Sequence, residues 1–232
     1  LLLEAGAYGS PSAATLNHLG ADPFSPGDID GLAPYVRVAF QKPVGPGTAE
    51  VGVFGMRADI HPGRDRSTGL VDRYTDVGVD ASYVVPLASG DTVTLNARYT
   101  HEDQALDATC ALAESEAACP NNTLTDVRAD ASYYWRNKIG VTVAAFATTG
   151  SANPTIYADS RTFKPDSSGV TVQLDATPWG DGHSPLGPRF NVRVGVQYTA
   201  YATFDGAGSN YDNAGANASD NNTLRVFTWI AY

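Results

Sequence analysis

The 232-residue chain carries 25 acidic against 15 basic residues, and its formal net charge of −10 excludes a polyanionic nucleic-acid partner on electrostatic grounds. Hydrophobic residues make up 43% and mean hydropathy is −0.20, with no apolar run approaching the ~18 residues of a membrane-spanning helix. What remains is one all-β domain over residues 1–232, either soluble or crossing a membrane with alternating strands.

The opening residues Leu1-Leu2-Leu3-Glu4-Ala5-Gly6-Ala7-Tyr8 already read as a strand, so further residues are expected upstream. A long polar stretch near 10–30 precedes a strand over 35–41 and a short turn near 43–48. Segment 49–60 is mixed: Val51 and Val53 share parity with Arg57 and Asp59, which predicts a bulge or an early exit from an apolar layer. After the loop at 61–72, Val77, Val79, Ala81, Tyr83 and Val85 alternate with Asp76, Gly78, Asp80 and Ser82. A turn near 87–91 leads to Val93, Leu95, Ala97 and Tyr99 opposing Thr94, Asn96, Arg98 and Thr100.

The next long loop, 103–122, holds Cys110 and Cys119, the two cysteines of the chain. Their place in one polar segment favours a local disulfide formed in an oxidising compartment over a metal site. Beyond it, Val127, Ala129, Ala131, Tyr133 and Trp135 oppose Asp126, Arg128, Asp130, Ser132, Tyr134 and Arg136, and after a turn at 137–138 a strand over 139–148 fits less sharply. The loop 150–168 is followed by Val170, Val172, Leu174 and Ala176 against Thr171, Gln173, Asp175 and Thr177.

The clearest alternation is 189–204, with Phe190, Val192, Val194, Val196, Tyr198, Ala200, Ala202 and Phe204 on one parity and Arg189, Asn191, Arg193, Gly195, Gln197, Thr199, Tyr201 and Thr203 on the other. Strands of soluble sandwiches average about five or six residues, whereas a tilted membrane strand needs about 9–11. A loop over 205–222 then leads into the final segment, Thr223 to Tyr232, in which Leu224, Val226, Ile230 and Tyr232 share a side.

About ten strands result, and short and long connections alternate throughout. An up-and-down barrel with short periplasmic turns and long extracellular loops predicts that order, while Greek-key sandwiches mix lengths. Tyr83, Trp135, Tyr198 and Tyr232 suit an interfacial girdle of such a barrel.

The terminal strand, ending on an aromatic residue, resembles that of bacterial outer-membrane proteins, which implies recognition by the barrel-assembly machinery. Gly195-Val196-Gln197-Tyr198-Thr199, Phe204 to Asp212, Asn217 to Leu224 and Asp72 to Gly78 resemble more specifically a group of largely uncharacterised proteobacterial outer-membrane proteins. The resemblance implies a porin-like antiparallel transmembrane β-barrel in the outer membrane of a Gram-negative bacterium, in contact with lipid and lipopolysaccharide. Relatives of this kind are longer and are sometimes associated with c-type cytochromes. Further N-terminal strands and an electron-transfer neighbour are therefore expectations too.

Catalytic and cofactor signatures are sparse. No C-x-x-C-H motif exists for a c-type heme, no histidine pair among His18, His61, His101 and His183 has metal-ligand spacing, and no Gly-x-Ser-x-Gly elbow occurs. Neither cofactor nor metal is expected, and the loop aspartates Asp28, Asp30, Asp205, Asp212 and Asp220 match no EF-hand spacing. A hydrolase of the omptin kind would need paired carboxylates and an Asp-x-His pair at the extracellular rim. Asp181-Gly182-His183 falls in a periplasmic turn instead, and the other candidate, His101-Glu102-Asp103, reads more simply as a charged rim.

With the apolar parity facing lipid, the opposite parity lines an interior. Arg37, Asp80, Arg98, Arg128, Asp130, Asp175, Arg193 and Arg225 are the candidate lumen-lining residues, with Arg136, Glu4, Asp76 and Asp126 alongside. In a narrow barrel they would form a salt-bridged plug; in a wider one they would line a passage for small polar solutes, with arginines across from carboxylates creating a transverse field. The passage is the expectation adopted, ahead of a structural or partner-holding barrel.

Overall fold

The computed structural model describes residues 1–24, 27–113, 121–180, 182–187 and 189–231. Strands β1 (Leu2–Tyr8), β2 (Asp28–Ile29), β3 (Ala33–Val44), β4 (Gly47–His61), β5 (Asp72–Pro86) and β6 (Thr92–Leu106) make up the first part of the chain. The second part comprises β7 (Asn122–Trp135), β8 (Ile139–Gly150), β9 (Ser167–Ala176), β10 (Asn191–Thr203) and β11 (Thr223–Ala231). All belong to one antiparallel sheet in the order β1-β3-β4-β5-β6-β7-β8-β9-β10-β11, with the short β2 paired to β4. From β3 to β11 each strand bonds to its sequence neighbour, and β1 bonds to β3 past the short β2, the up-and-down order expected. The outer edges of β1 and β11 are unpaired among the described residues, so the sheet is not closed.

Connections fall on two sides. β3–β4, β5–β6, β7–β8 and β9–β10 are joined on one side, the first through Gly45 and Pro46 alone and the last through 177–190, which is longer than the 62–71 connection on the other side; the remaining long connections lie on that other side too. Short helices unforeseen in the sequence occupy two long loops: α1 (Ala13–His18), which Ser12 caps by accepting from the Thr15 N–H, and α2 (Asp107–Leu112). The buried Asp72 carboxylate accepts from both the N–H and the hydroxyl of Thr109, tying α2 to the end of β5. Cys110 is buried on α2; Cys119 lies outside the described residues, and so does the expected pairing of the two.

Period-two alternation combined with this register separates the sheet into two faces. One carries Val36, Val38, Val51, Val53, Val77, Val79, Leu95, Val127, Val143, Val172, Val196 and Val226, all markedly exposed, with direct neighbours such as Val53↔Val79 and Leu174↔Val196 in register. No second layer covers them. Apolar side chains buried among the described residues are only Ala33, Ala39, Ala58, Leu106, Ala108, Cys110, Ala207 and Ala218, far too little for a soluble core. Accessible surface, 13490 Å², exceeds the roughly 10,000 Å² that a compact soluble chain of this mass presents.

Two sequence expectations need correction. β4 pairs without a register shift from Thr48↔Val84 to Ile60↔Asp72, so no bulge interrupts 49–60. Arg57 and Asp59 stay on the apolar side but beyond its hydrophobic band, where Arg73 Nε donates to Asp59 at 2.8 Å. The irregularity instead falls between Tyr201 and Thr203 at the long-loop end of β10. Arg136 also leaves its predicted face: it sits in the turn after β7 with φ 48°, its guanidinium 5.4 Å from the centre of the Trp135 ring.

Aromatic residues border the apolar band. Tyr83 and Tyr133 lie near the short-turn side, Tyr83 donating to the Val44 carbonyl at 2.9 Å and Tyr133 to Asp91 at 2.7 Å. Toward the loop side the Tyr198 hydroxyl accepts from Asn222 at 3.1 Å. Tyr232 is outside the described residues.

Candidate functional site

The polar face gathers all eight predicted residues. Cross-strand pairing runs Glu4↔Arg37↔Phe54↔Gly78↔Thr100↔Asp126, and Asp80↔Arg98↔Arg128 lies one step along, so these share a side. Asp130↔Ala144↔Thr171↔Thr199 and Gly140↔Asp175↔Gly195 continue it to β10, and Arg225↔Gln197 reaches β11.

Three charged groups organise it. Arg37, its side chain 13% exposed, reaches three carboxylates on three strands: Nη1 donates to Glu4 at 2.8 Å, Nη2 to Glu50 at 2.6 Å, and Nε to Asp80 at 2.8 Å. Gly52 makes room, because a Cβ there would stand 2.9 Å from the Arg37 guanidinium. In the middle, Arg128 Nε donates to Asp126 at 2.9 Å, which also takes the Thr148 hydroxyl at 2.9 Å and faces Arg98 Nη2 at 3.7 Å. Toward the short turns, Arg193 holds the buried Asp175 through Nε and Nη2 at 2.8 and 2.9 Å and donates to Tyr134 Oη at 2.8 Å. Neutral groups link these clusters: Asn96 to Asp130, Gln197 to Gln173, and Thr171 with Thr199.

Of the aromatic rings on this face, Tyr134 and Tyr201 were at the expected parity, whereas Phe54, Phe146 and Phe227 were not anticipated. Phe54, Tyr134, Phe146 and Phe227 are each directly paired with a glycine, Gly78, Gly140, Gly169 and Gly195 respectively. Each ring covers its partner closely enough that a Cβ on the glycine would meet it. Glycine opposite an aromatic at polar-face parity is the sequence signal that would have found them. Between the clusters the face is hollowed: one hollow of about 460 Å³ is bounded by Arg37, Asp80, Arg98 and Asp130, and a second of about 370 Å³ by Arg128, Phe146, Gln197 and Tyr201.

The rim triplet does not assemble as a catalytic group. β6 continues unbroken to Leu106, so His101 and Asp103 point to the apolar side and Glu102 to the polar side. His101 Nδ1 lies 3.2 Å from the Thr125 hydroxyl and Nε2 is 3.6 Å from Asp103. His183 is in the short-connection side as expected, while Asp181 is outside the described residues. No group of three or more His, Cys, Asp or Glu able to hold a metal occurs among the described residues.

Beyond the ten-stranded path, β2 and the loops are braced by charge. Asp28 takes hydrogen bonds from Arg66 at 2.7 Å and Arg64 at 3.3 Å, the former chiefly holding its carboxyl below the ordinary range. In loop 151–166, Arg161 donates to the Asn210 carbonyl at 2.9 Å and Ser160 to the Asp205 carbonyl at 2.7 Å, fastening this loop to the one after β10. Burial pushes the Tyr157 hydroxyl above its ordinary pKa, helped by the Glu102 carboxylate.

No protein-family model matches the chain, and no curated protein matches it. Among solved structures it is similar to an anion-selective porin from Comamonas acidovorans, with 13% identity over 90% of this chain and a TM-score of 0.43. The chain spans about half the length of that porin, 50%. Its own architecture is an open, up-and-down antiparallel sheet with one apolar and one polar face.

Proposed function

We propose that the chain forms the wall of a non-enzymatic outer-membrane channel through which small polar solutes pass along the charged face. The observation that carries this reading is the two-faced sheet: an uncovered band of valines, leucines and alanines on one side and hydrogen-bonded ion clusters on the other. Water would penalise the first face and hydrocarbon the second, and a bilayer around an aqueous passage satisfies both. Lipid and lipopolysaccharide would cover the apolar face, and β11 would be the strand offered to the barrel-assembly machinery. Because a bilayer tolerates no unpaired strand edge, the reading requires the free edges of β1 and β11 to be hydrogen-bonded in the working assembly.

The protein purified from its native membrane should produce stepwise single-channel conductance in planar bilayers and admit small sugars and amino acids in liposome swelling. Absence of both would remove the channel and leave a structural barrel.

A further inference from the structure

The charges on the polar face do not cancel. The Arg37 cluster sets one guanidinium against Glu4, Glu50 and Asp80, Arg98 and Arg128 share Asp126, Arg193 is matched by Asp175, and Arg225 rests over the Phe227 ring at 5.9 Å. Asp72 is consumed beneath α2. Three further carboxylates on this face, Asp76, Glu102 and Asp130, have no basic partner among the described residues; Asp130 takes the amide of Asn96, and Glu102 takes the amide of Gln104 and interacts with the Asp76 carboxyl.

Asp76 and Glu102 are moreover directly opposite each other in the β5–β6 register, and Asp76 Oδ1 is buried without a hydrogen-bond partner. Like charges in that position repel, and a nearby cation relieves both the repulsion and the unmet oxygen. Asp130 borders both hollows.

We infer that the passage favours small cations over anions, and that Asp76, Glu102 and Asp130 are the residues that set this preference. The inference rests on the channel reading and names its solute class. Taken over the whole face, Arg37, Arg98, Arg128, Arg193 and Arg225 are balanced by Glu4, Glu50, Asp80, Asp126 and Asp175, so together they contribute little net field to a passing ion, whereas Asp76, Glu102 and Asp130 are left as the surplus. A wall potential of about one kT enriches monovalent cations over anions roughly sevenfold, and screening over ~10 Å at 0.1 M salt weakens this as salt rises.

The test is the reversal potential of the full chain in planar bilayers under a KCl gradient, at about pH 8 so that carboxylates are ionised. Potassium should be preferred at low salt, and the triple variant Asp76→Asn, Glu102→Gln, Asp130→Asn should lose most of that preference. Asp103→Asn removes one carboxylate from the opposite face, as Asp130→Asn does from this one, and should leave the ratio unchanged. Should the triple variant not fold, Asp130→Asn alone, which keeps a partner for Asn96, should lower the ratio measurably. Chloride preference in the wild type, an unselective channel at low salt, or a ratio indifferent to these substitutions overturns the inference while leaving the channel. A chain that gives no conductance steps overturns the channel and the inference together.

Discussion

Gly140 of β8 lies beneath the Tyr134 ring of β7, and substituting alanine there tests whether such seats hold the wall together. A Cβ at Gly140 would overlap Tyr134 Cε1, stand 2.8 Å from Cδ1 and come within 3.1 Å of Asp175 Oδ2. All three are side-chain atoms, so the ring must swing away, and its hydroxyl then leaves Arg193, now 2.8 Å distant. Overpacking costs about 1–3 kcal/mol and a hydrogen bond to a charged group about 1.5–3 kcal/mol. Arg193 keeps both contacts to Asp175 and is 32% exposed, so water recovers much of the second loss. Alanine also gains about 0.5–1 kcal/mol over glycine in a strand. The expected net loss is about 2 kcal/mol, read from reversible urea unfolding of protein refolded in lipid vesicles and followed by tryptophan fluorescence. In a Tyr134→Ala background the same substitution should be neutral or stabilising, a coupling of about 2 kcal/mol. Equal effects in the two backgrounds would refute the idea that glycine is there to seat the ring.

Other consequences are as direct. Val143, 48% exposed at mid-strand on the apolar face, should cost about 2–4 kcal/mol as Val143→Arg during insertion into vesicles; a soluble protein would tolerate arginine there, so near-normal insertion would count against the lipid-facing assignment. Arg37→Met leaves Glu4, Glu50 and Asp80 facing one another, and a loss of about 2–4 kcal/mol is expected, partly restored by adding Asp80→Asn; full stability of the single variant would show that the cluster is solvated. Asp91, in the β5–β6 turn, accepts from Ser89 (2.6 Å), Tyr133 (2.7 Å) and the Arg136 N–H (3.0 Å), which hold its carboxyl below the ordinary range. A depressed folded value stabilises above the unfolded value of about 3.9 and loses that contribution as pH falls through the folded one. The stability gap between wild type and Asp91→Asn should therefore narrow below about pH 4, and a gap constant across that range would contradict it.

The ten long strands and their face assignment were legible in the sequence because each depends on neighbours along the chain, whereas the two-residue β2 was read as loop and the 177–190 connection is longer than a short turn. Side-chain period two and turn composition are local properties, and all eight candidate wall residues accordingly fell on one face. The extent of β6 was misread: its alternation was followed only to 102, whereas the strand runs on to Leu106, because the loop side of the sheet stays hydrogen-bonded where its outer face turns polar. Had β6 been extended, adjacency alone would have separated His101 and Asp103 from Glu102.

Only the tertiary structure decided which charges meet. Arg37 and Asp80 are 43 residues apart and Arg193 and Tyr134 are 59 apart, yet each pair is in hydrogen-bond contact. Pairing across strands depends on register, which is a property of the sheet and not of either segment. The seats of Phe54, Tyr134, Phe146 and Phe227 over glycines, and the surplus of Asp76, Glu102 and Asp130, follow from that register. The sequence by itself determined a sheet with an oily and a charged side; the fold, by bringing distant strands to within about 5 Å of one another, decided which of those charges are spent on each other and which are left without a basic partner.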